Sequence, residues 1–320
     1  MSVLVYTELA EGQYKKTSLE AIFYGSKVAE IIGTELHVLA VGHAEKAELA
    51  IAGGYGASSV LHADANELKE QNIMAYGKVL IAAIQSKNAT VVISSKSSLS
   101  DAVMARSAAS LNAGLVGNVV ELPEINESFK VKRSIFSGKA FALTEIKSEI
   151  KFLAIKKNVV EPILTNSEAT VIQFSADLGN SVSSSKIVET IKANGAVSLP
   201  EADLVVSGGR GMKGPENWQP LLDLAEALGA ATACSKPVSD LDWRPHHEHV
   251  GQTGVKVAPN LYIACGISGA IQHLAGVNSS KVIVVINKDP EAPFFKAADY
   301  GIVGDVFDVL PKLTAAVKAM

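Results

Sequence analysis

The sequence predicts an α/β protein of two domains, and three observations support this prediction. The chain has 320 residues, which is enough for about two domains. Short continuous apolar runs, such as Val3–Tyr6 and Leu36–Val41, are typical of strands buried in parallel sheets. Helical patterns separate these runs, which favours parallel strands with helices on both faces of a sheet.

Composition and charge argue against several classes of protein. Hydrophobic residues make up 48% of the chain and charged residues 19%, which suits buried cores rather than disorder. The formal net charge of −4 gives no reason to expect nucleic acid as a partner. No apolar run approaches the roughly 20 residues of a membrane span. Because no signal or transit peptide is visible, we expect a cytoplasmic protein, or a matrix protein that has lost its presequence.

The N-terminal domain is predicted to span residues 1–196, with a parallel sheet and an antiparallel extension. Its expected parallel strands are Val3–Tyr6, Leu36–Val41, Ser59–His62 and Val91–Ser94. The helix before the last of these strands is expected to follow Asn66 as its N-cap. The antiparallel extension is expected from the closely spaced runs Phe129–Phe136, Ala140–Ile146 and Ile150–Ile155.

The C-terminal domain is predicted to span residues 197–320 and to be Rossmann-like, doubly wound around a parallel sheet. The linker-like segment Ser175–Ser185 precedes it. Its expected strands are Leu204–Val206, Ala230–Cys234, Leu261–Cys265 and Val282–Ile286. The last helix is either Val306–Lys318 with a strained Pro311, or a shorter helix that starts at Pro311.

Loops rich in Gly, Ser, Thr or Asn adjoin the strands of the C-terminal domain. They are SGGRG (Ser207–Gly211), CSKP (Cys234–Pro237), GQTG (Gly251–Gly254), GISGAIQH (Gly266–His273) and NKDPEAP (Asn287–Pro293). Parallel strands place their carboxyl ends at one edge, where open α/β sheets bind ligands. Each motif taken alone could also be an ordinary turn or strand end. Together they predict a site for a large phosphate-bearing cofactor.

The residue types in these loops suit an anionic ligand. Glycines let the backbone approach a phosphate, and Arg210 offers a bidentate fork. Ser268 is expected to cap a helix that starts directly after strand Leu261–Cys265 and presents free N–H groups. His273 is expected to lean toward the same ligand, whereas Asp305 either caps the last helix or binds a ribose or adenine.

The segment HHEH (His246–His249) contains three histidines, but we do not expect it to bind a metal. A metal site needs side chains that converge from a fixed scaffold. This run lies in a loop before GQTG, so we predict a solvated loop and no metal.

Several of these runs resemble the signature sequences of the electron transfer flavoprotein alpha subunit family. They are SGGRG, VGQTG, ISGAIQHLAG, INKDPEAP and ADYGIVGD, and the resemblance is continuous from about Leu204 to Val309. In the N-terminal domain it depends on the layout and on LNAGL (Leu111–Leu115) and RSIFSGKAF (Arg133–Phe141). The resemblance implies one FAD per alpha subunit, bound in the C-terminal domain, with the N-terminal domain contacting a partner subunit.

The resemblance also implies an electron carrier rather than an enzyme with its own substrate. It implies a bacterial, cytoplasmic heterodimer with an electron transfer flavoprotein beta subunit. Acyl-CoA dehydrogenases of fatty acid β-oxidation and related dehydrogenases would donate electrons. These would pass through a flavin semiquinone to a quinone oxidoreductase and the respiratory chain. Some relatives instead bifurcate electrons from NADH with a second FAD in the partner, and the sequence leaves this variant open.

The match to the family's motifs also implies the cofactor-binding residues. Thr253 is expected near N5 of the flavin ring and His273 at its pyrimidine edge, while Asn287 and Asp305 reach the ribityl–adenosine part. The complete expected set is Arg210, Ser235, Lys236, Val250, Gly251, Gln252, Thr253, Gly254, Gly266, Ile267, Ser268, Gly269, Ala270, Ile271, Gln272, His273, Asn287, Asp305 and Val306. Lys236 departs from the family, which usually has Arg there. The planar guanidinium and the compact ammonium are not equivalent, which leaves the flavin potential open.

Two other classes of function fit the same residues less well. A nicotinamide-dependent oxidoreductase requires GxGxxG directly after a strand and an acidic residue about 20 positions later, and SGGRGMKG does not supply that spacing. A nucleotide-binding regulatory module requires a phosphate loop in the N-terminal domain, where none is legible. Titration with FAD and with NAD(H) separates the three hypotheses.

Overall fold

The computed structural model describes residues 2–138, 140–179, 188 and 199–319. The chain divides into two compact units, residues 1–190 and 191–320. The predicted boundary between residues 196 and 197 lies outside the described residues, as does most of the linker-like segment Ser175–Ser185. The exact boundary therefore stays a prediction.

The first unit alternates strands and helices over most of its length. In chain order its elements are β1 (Ser2–Thr7), β2 (Leu9–Ala10), β3 (Gln13–Tyr14), α1 (Lys16–Ile32), β4 (Leu36–Val41), α2 (Lys46–Ala50), β5 (Ser59–Ala63), α3 (Ile73–Lys87), β6 (Ala89–Ser95), α4 (Ser98–Ser110), β7 (Gly114–Val119), β8 (Glu124–Ile125), β9 (Phe129–Ile135), β10 (Ala140–Glu145), β11 (Lys151–Ile155) and β12 (Thr170–Gln173). The four predicted parallel strands correspond to β1, β4, β5 and β6, within one or two residues at each end.

The main sheet of the first unit has ten strands in the order β10-β9-β7-β11-β6-β1-β4-β5-β12, with β8 beside β9. The pair β9–β10 is antiparallel, which confirms the predicted antiparallel extension. The assignment of Ile150–Ile155 to that extension is wrong, because β11 pairs in parallel with both β6 and β7. The physical reason is burial: Phe152–Ile155 is continuously buried, as a central parallel strand requires, whereas exposure alternates along β10.

The helix α3 begins later than predicted, and Asn66 does not cap it. Asn72 is the N-cap, and its side-chain oxygen accepts hydrogen bonds from the amides of Met74 (2.9 Å) and Ala75 (3.2 Å). Asn66 instead begins a short 3-10 turn that ends at Leu68. Asn is a favoured N-cap residue at either position. The 3-10 turn at Asn66–Leu68 precedes the helix, so Asn72 is the residue at the helix start.

The second unit has one parallel sheet. Its elements are β13 (Leu204–Gly208), α5 (Gln219–Leu228), β14 (Ala231–Cys234), α6 (Lys236–Ser239), β15 (Leu261–Cys265), α7 (Ile271–Val277), β16 (Val282–Asn287), β17 (Tyr300–Val303) and α8 (Val306–Lys318). The strand order is β14-β13-β15-β16-β17, and every pair is parallel. All five carboxyl ends therefore lie at one edge.

Two hydrophobic layers cover this sheet, which confirms the doubly wound architecture. One layer packs α7 against the face that carries Tyr262 and Val285. The other packs α5 and α8 against the face that carries Val206 and Ile263. The chain first adds β14 on one side of β13. It then returns and adds β15, β16 and β17 in turn on the other side. An open α/β sheet leaves a crevice at such a reversal, which places the expected ligand between the ends of β13 and β15.

The end of the chain differs from one prediction and settles another. The strand β17 was not predicted, because it is short, contains a glycine and is exposed along its whole length. The longer of the two alternatives for the last helix is confirmed, since α8 runs from Val306 with Pro311 inside it. In the described part of the chain, no helix is both long enough and apolar enough to span a membrane.

Candidate functional site

The loops that follow β13 and β15 touch through their backbones. The amide of Gly209 donates to the carbonyl of Cys265 (2.9 Å), and the amide of Gly211 donates to the carbonyl of Gly266 (3.0 Å). Gly266 has a φ of +62°, and a Cβ atom there would lie 2.8 Å from Cα of Gly211. Only glycine tolerates both the conformation and the contact. The glycine motifs therefore serve to bring the two loops together at the reversal point of the sheet.

A cavity of about 460 Å³ opens at this edge of the sheet. Five of the predicted cofactor-binding residues line it, namely Arg210, Gly266, Asn287, Asp305 and Val306. Its other lining residues were not predicted, and they are Gly211, Lys213, Leu241, Trp243, Lys288 and Gly304. Lys213 and Lys288 lie inside the SGGRGMKGP and NKDPEAP loops. The positive charges of those loops were therefore the sequence signal that could have identified both lysines as site residues.

The charges around the cavity favour an anion. Arg210, Lys213 and Lys288 line it, against the single carboxylate of Asp305. Asp305 accepts a hydrogen bond from the amide of Phe307 (3.1 Å) and so caps α8, as one of the two alternatives predicted. That hydrogen bond lowers the pKa of Asp305, and the nearby Lys213 and Lys288 lower it further. The cationic excess suits a pyrophosphate.

The loop from Gly266 to Ala270 differs from its predicted form. Ser268 does not cap a helix, because α7 begins only at Ile271. The left-handed glycines Gly266 and Gly269 interrupt any earlier helix. The amides of residues 267–270 donate no hydrogen bond to any residue that the structure describes. Consecutive free amides of this kind form an anion-binding concavity, so the amides come from the loop rather than from a helix end.

Asn287 holds this loop in place. Its side-chain nitrogen donates to the carbonyl of Ile267 (3.0 Å), and its side-chain oxygen accepts from the amide of Asp289 (3.1 Å). Both ends of the amide group are thus engaged within the protein. Asn287 lines the cavity, but its evident role is to position the free amides.

A second group of predicted residues lies around the segment Val250–Gly254, here called the GQTG loop. The amide of Gln252 donates to the carbonyl of Gln272 (2.7 Å), which attaches the loop to α7. A Cβ atom at Gly276 would lie 2.6 Å from the amide nitrogen of Gly251, so the helix backbone packs directly on the loop. Gln252 and Thr253 are exposed on it, whereas Val250 is buried beneath. The loop therefore presents polar side chains on a rigid support.

Ser235 and Lys236 lie at the same edge of the sheet. The amide of Ser235 donates to the carbonyl of Gly208, which joins the end of β14 to the end of β13. Ser235 is buried and Lys236 is exposed. Lys236 is close enough to His249 to lower the pKa of that imidazole. The CSKP motif thus adjoins the base of the GQTG loop, as expected for loops that share one edge.

His273 is the third residue of α7 and is buried. Its Nε2 lies 2.9 Å from the hydroxyl oxygen of Tyr262. Burial first, and then the neighbouring His249, lower the pKa of His273 to about 4, although the Val250 backbone offsets part of this. His273 is therefore neutral at pH 7, and stabilisation of negative charge by an imidazolium is not available in this state. Its Nδ1 is buried and makes no hydrogen bond of normal geometry.

The surroundings of His273 favour one tautomer. Burial raises the pKa of the Tyr262 phenol far above the usual value, while a hydrogen bond with the side chain of Ser207 lowers it. If Tyr262 donates to Nε2, the imidazole carries its hydrogen on Nδ1. A hydrogen on Nδ1 also suits the backbone of Val250, whose hydrogen bond raises the pKa of His273.

The prediction that HHEH is a solvated loop is wrong for half of the segment. His246 and His247 are exposed, but Glu248 and His249 are buried. Arg244 donates to the two carboxylate oxygens of Glu248, through Nε (2.8 Å) and Nη2, which neutralises the buried charge. His249 forms a parallel β-bridge with Cys234, so the segment extends the sheet. The Arg244–Glu248 spacing was the signal that sequence reasoning missed.

The described residues fit a phosphate-bearing cofactor with a polar ring. The cations line the cavity, the free amides directly follow Gly266, which also lines it, and the GQTG loop is hydrogen-bonded to α7 beside the buried His273. Oγ of Ser207 and Nδ1 of His273 are buried and make no hydrogen bond of normal geometry in the described part of the chain, although Tyr262 and the Val250 backbone, respectively, lie near them.

Two family models match the chain. The model described as "Electron transfer flavoprotein FAD-binding domain" matches residues 198–278, and the one described as "Electron transfer flavoprotein domain" matches residues 3–178. The chain is similar to the electron transfer flavoprotein subunit alpha of Bacillus subtilis, with 37% identity over 99% of this chain and 98% of that protein. The subunit alpha of Pseudomonas aeruginosa is 36% identical, over 99% of this chain and 100% of that protein. A probable mitochondrial subunit alpha of Caenorhabditis elegans is 37% identical, over 98% of this chain and 93% of that protein.

Proposed function

Because this chain belongs to the electron transfer flavoprotein alpha subunit family, we propose that it carries electrons as the FAD-holding half of a heterodimer. Its C-terminal domain is the FAD-binding domain of that family. The proposed partner is an electron transfer flavoprotein beta subunit, in contact with the N-terminal domain. The single observation that carries the proposal is the cationic cavity with free amides at the reversal point of the C-terminal sheet.

The proposal extends to the route of the electrons. Acyl-CoA dehydrogenases of fatty acid β-oxidation and related dehydrogenases donate them, and a quinone oxidoreductase accepts them for the respiratory chain. They pass one at a time, through the flavin semiquinone. The names of the relatives support electron transfer in general. The particular donors and the acceptor are inferred from the resemblance of the sequence motifs to those of the family. A cytoplasmic location belongs to the same proposal, and fractionation of the source cells tests it.

The roles of individual residues follow the two parts of the site. Arg210, Lys213, Lys288 and the amides of residues 267–270 would hold the pyrophosphate, and Asn287, Asp305 and Val306 would adjoin the adenosine side. Ser235, Lys236, the GQTG loop, Gln272 and His273 would surround the ring. FAD, when bound, supplies the one-electron and two-electron chemistry. The chain would orient the ring, with the neutral imidazole of His273 and the charge of Lys236 near it.

An electron carrier without a substrate of its own is the better fit for this site. The two cysteines near the strand ends, Cys234 and Cys265, are free and buried. Burial raises the pKa of both thiols to about 12, so neither is a thiolate nucleophile at neutral pH. This supports a carrier over an enzyme that forms a covalent intermediate.

Co-expression with the beta subunit tests the proposal. The purified heterodimer is expected to be yellow, with one FAD per alpha chain, and to bleach through a one-electron intermediate during stepwise reduction. A colourless heterodimer that rejects added FAD, or that takes up NAD(H) instead, would contradict it. Flavin counting also identifies the bifurcating variant, since a second FAD per heterodimer would then be present.

A further inference from the structure

The roles proposed above leave one buried imidazole of the site unused. His249 is 6% exposed and immediately precedes the GQTG loop. A Cβ atom at Gly254 would lie 2.8 Å from its Nδ1, and one at Gly251 would lie 3.3 Å from its Nε2. The ring of His249 therefore fits between the two glycines that bound the GQTG motif. Whatever the loop holds lies close to this imidazole.

Neither ring nitrogen of His249 makes a hydrogen bond to a residue that the structure describes. Two nearby histidines do have such partners. Nδ1 of His246 lies 2.9 Å from the hydroxyl of Ser239, and Nε2 of His273 lies 2.9 Å from the hydroxyl of Tyr262. The imidazole of His249 is thus available to a proton or to a ligand, whereas Nε2 of His273 is already engaged with the hydroxyl of Tyr262.

The groups that face His249 hold it neutral at pH 7. Burial is the largest cause that lowers its pKa; Asp240 raises that pKa, and Lys236 and His246 lower it. His273 faces it from α7 and is itself neutral. The nearest buried carboxylate, Glu248, is already paired with Arg244. A new negative charge within about 4–6 Å would act against these effects, since an opposite charge raises an imidazole pKa by roughly 1–3 units.

We propose that His249 is the proton acceptor of the flavin site. When an electron from the donor protein enters the ring held by the GQTG loop, the imidazole of His249 binds one proton from solvent. One negative and one positive charge thus appear together, and no covalent bond of the protein breaks. This inference depends on the proposed function. His249 is favoured over His273, because Nε2 of His273 is already engaged with the hydroxyl of Tyr262.

The pH dependence of the first one-electron potential tests the inference in the FAD-loaded heterodimer. In the wild type the potential is expected to fall by about 59 mV per pH unit over part of the range from pH 6 to 9, since one proton follows one electron. His249→Gln keeps a polar side chain but cannot bind the proton, so the slope should disappear. His247→Gln is the matched control, because His247 is exposed in the same segment and should keep the wild-type slope.

Two results would overturn the inference: a wild-type slope that persists in His249→Gln, or a wild type without a slope in this range. A second readout needs no variant. The assigned ring resonances of His249 should change from neutral imidazole to imidazolium between oxidised and fully reduced heterodimer at pH 7.5. A neutral imidazole in both states would refute the inference even if His249→Gln does not fold. A heterodimer that binds no FAD removes the proposed function as well, whereas FAD binding with an unchanged slope removes only this inference.

Discussion

Lys236 belongs to the proposed flavin site and stands where the family resemblance leads us to expect Arg. It is exposed, follows the buried Ser235, and lies close enough to His249 to influence its pKa. Lys236→Gln removes one positive charge near the ring, so reduction of the flavin should become harder. The first-electron potential is expected to fall by the equivalent of roughly 0.2–1 kcal/mol, the range for charges that interact through solvent. Spectroelectrochemical titration of the heterodimer measures it.

The control for that prediction lies at the opposite edge of the sheet. Lys281 is exposed and precedes β16 at its amino end, so Lys281→Gln removes the same charge at a distance. The potential of this variant should equal that of the wild type. If both variants shift the potential equally, net charge rather than Lys236 is responsible. Lys236→Arg keeps the charge and should stay near the wild-type value.

His273 makes the C-terminal unit sensitive to acid. Its pKa is about 4 in the folded protein and about 6.5 when unfolded, so the unfolded chain binds more protons between these values. The stabilising contribution is therefore complete above about pH 6.5 and is lost as the pH falls toward 4, by roughly 3 kcal/mol at 1.36 kcal/mol per unit. His249, whose pKa is also lowered, acts in the same direction.

Tryptophan fluorescence during urea unfolding, at matched protein concentration, measures this loss. The chain has two tryptophans, and both Trp218 and Trp243 belong to the C-terminal unit. His273→Gln should flatten the decline between pH 6.5 and 4, while His247→Gln should leave it unchanged. An unfolding free energy that stays constant over this range in the wild type would contradict the assignment of a buried neutral His273.

Single residues show where sequence reasoning reached the site and where it did not. Arg210 and Gly266 follow strands of one parallel sheet, so their place at the cavity could be predicted from order alone. The burial of His249 could not, because it depends on a bridge to Cys234 and on the Arg244–Glu248 ion pair. Ser268 was expected to cap a helix, but the left-handed glycines beside it delay the helix to Ile271.

At the scale of elements, the packing of α7 on the GQTG loop is a close backbone contact that depends on a glycine. Gly276→Ala should raise helix propensity by up to about 1 kcal/mol. However, the new Cβ would lie 2.6 Å from the amide nitrogen of Gly251, and backbone cannot rotate away as a side chain can. Overpacking costs typically 1–3 kcal/mol, so the clash should prevail. We expect a less stable C-terminal unit and weaker retention of FAD.

Two measurements check this prediction, urea unfolding followed by tryptophan fluorescence and the loss of FAD on dialysis. Gly117→Ala is the matched control, because no atom lies within 4 Å of the position its Cβ would take. That variant should match the wild type in both measurements. If Gly276→Ala retains FAD and stability equally well, the direct contact between α7 and the loop has been misjudged.

Elements were predictable in proportion to their apolar content. Continuous buried runs such as β4 and β15 were located to the residue. The exposed strand β17 carries no such signal, and β7 contains two glycines, so neither was predicted. The parallel pairing of β11 was also missed, because strand order depends on contacts between residues far apart in sequence. Its uninterrupted burial was the one local sign of a central strand.

At the scale of the whole molecule, the two-domain α/β architecture and the doubly wound C-terminal sheet could both be predicted from the sequence. The order β14-β13-β15-β16-β17 could not, yet it decides where the ligand site lies. The reversal at β13 places SGGRG beside GISGAIQH, and the parallel direction of all strands brings the remaining loops to the same edge. The central claim is therefore spatial: one FAD occupies this edge of the C-terminal sheet.

Hydrogen–deuterium exchange of the heterodimer, with FAD and after its removal, tests that claim most directly. FAD is expected to slow exchange in residues 208–213, 250–254, 266–273 and 304–306, because these backbone segments form the cavity, the free amides and the GQTG loop. The amides of residues 267–270 should show the largest change, since they donate no hydrogen bond to a described residue. Protection confined to the N-terminal domain, or no change in these four segments despite bound FAD, would contradict the claim.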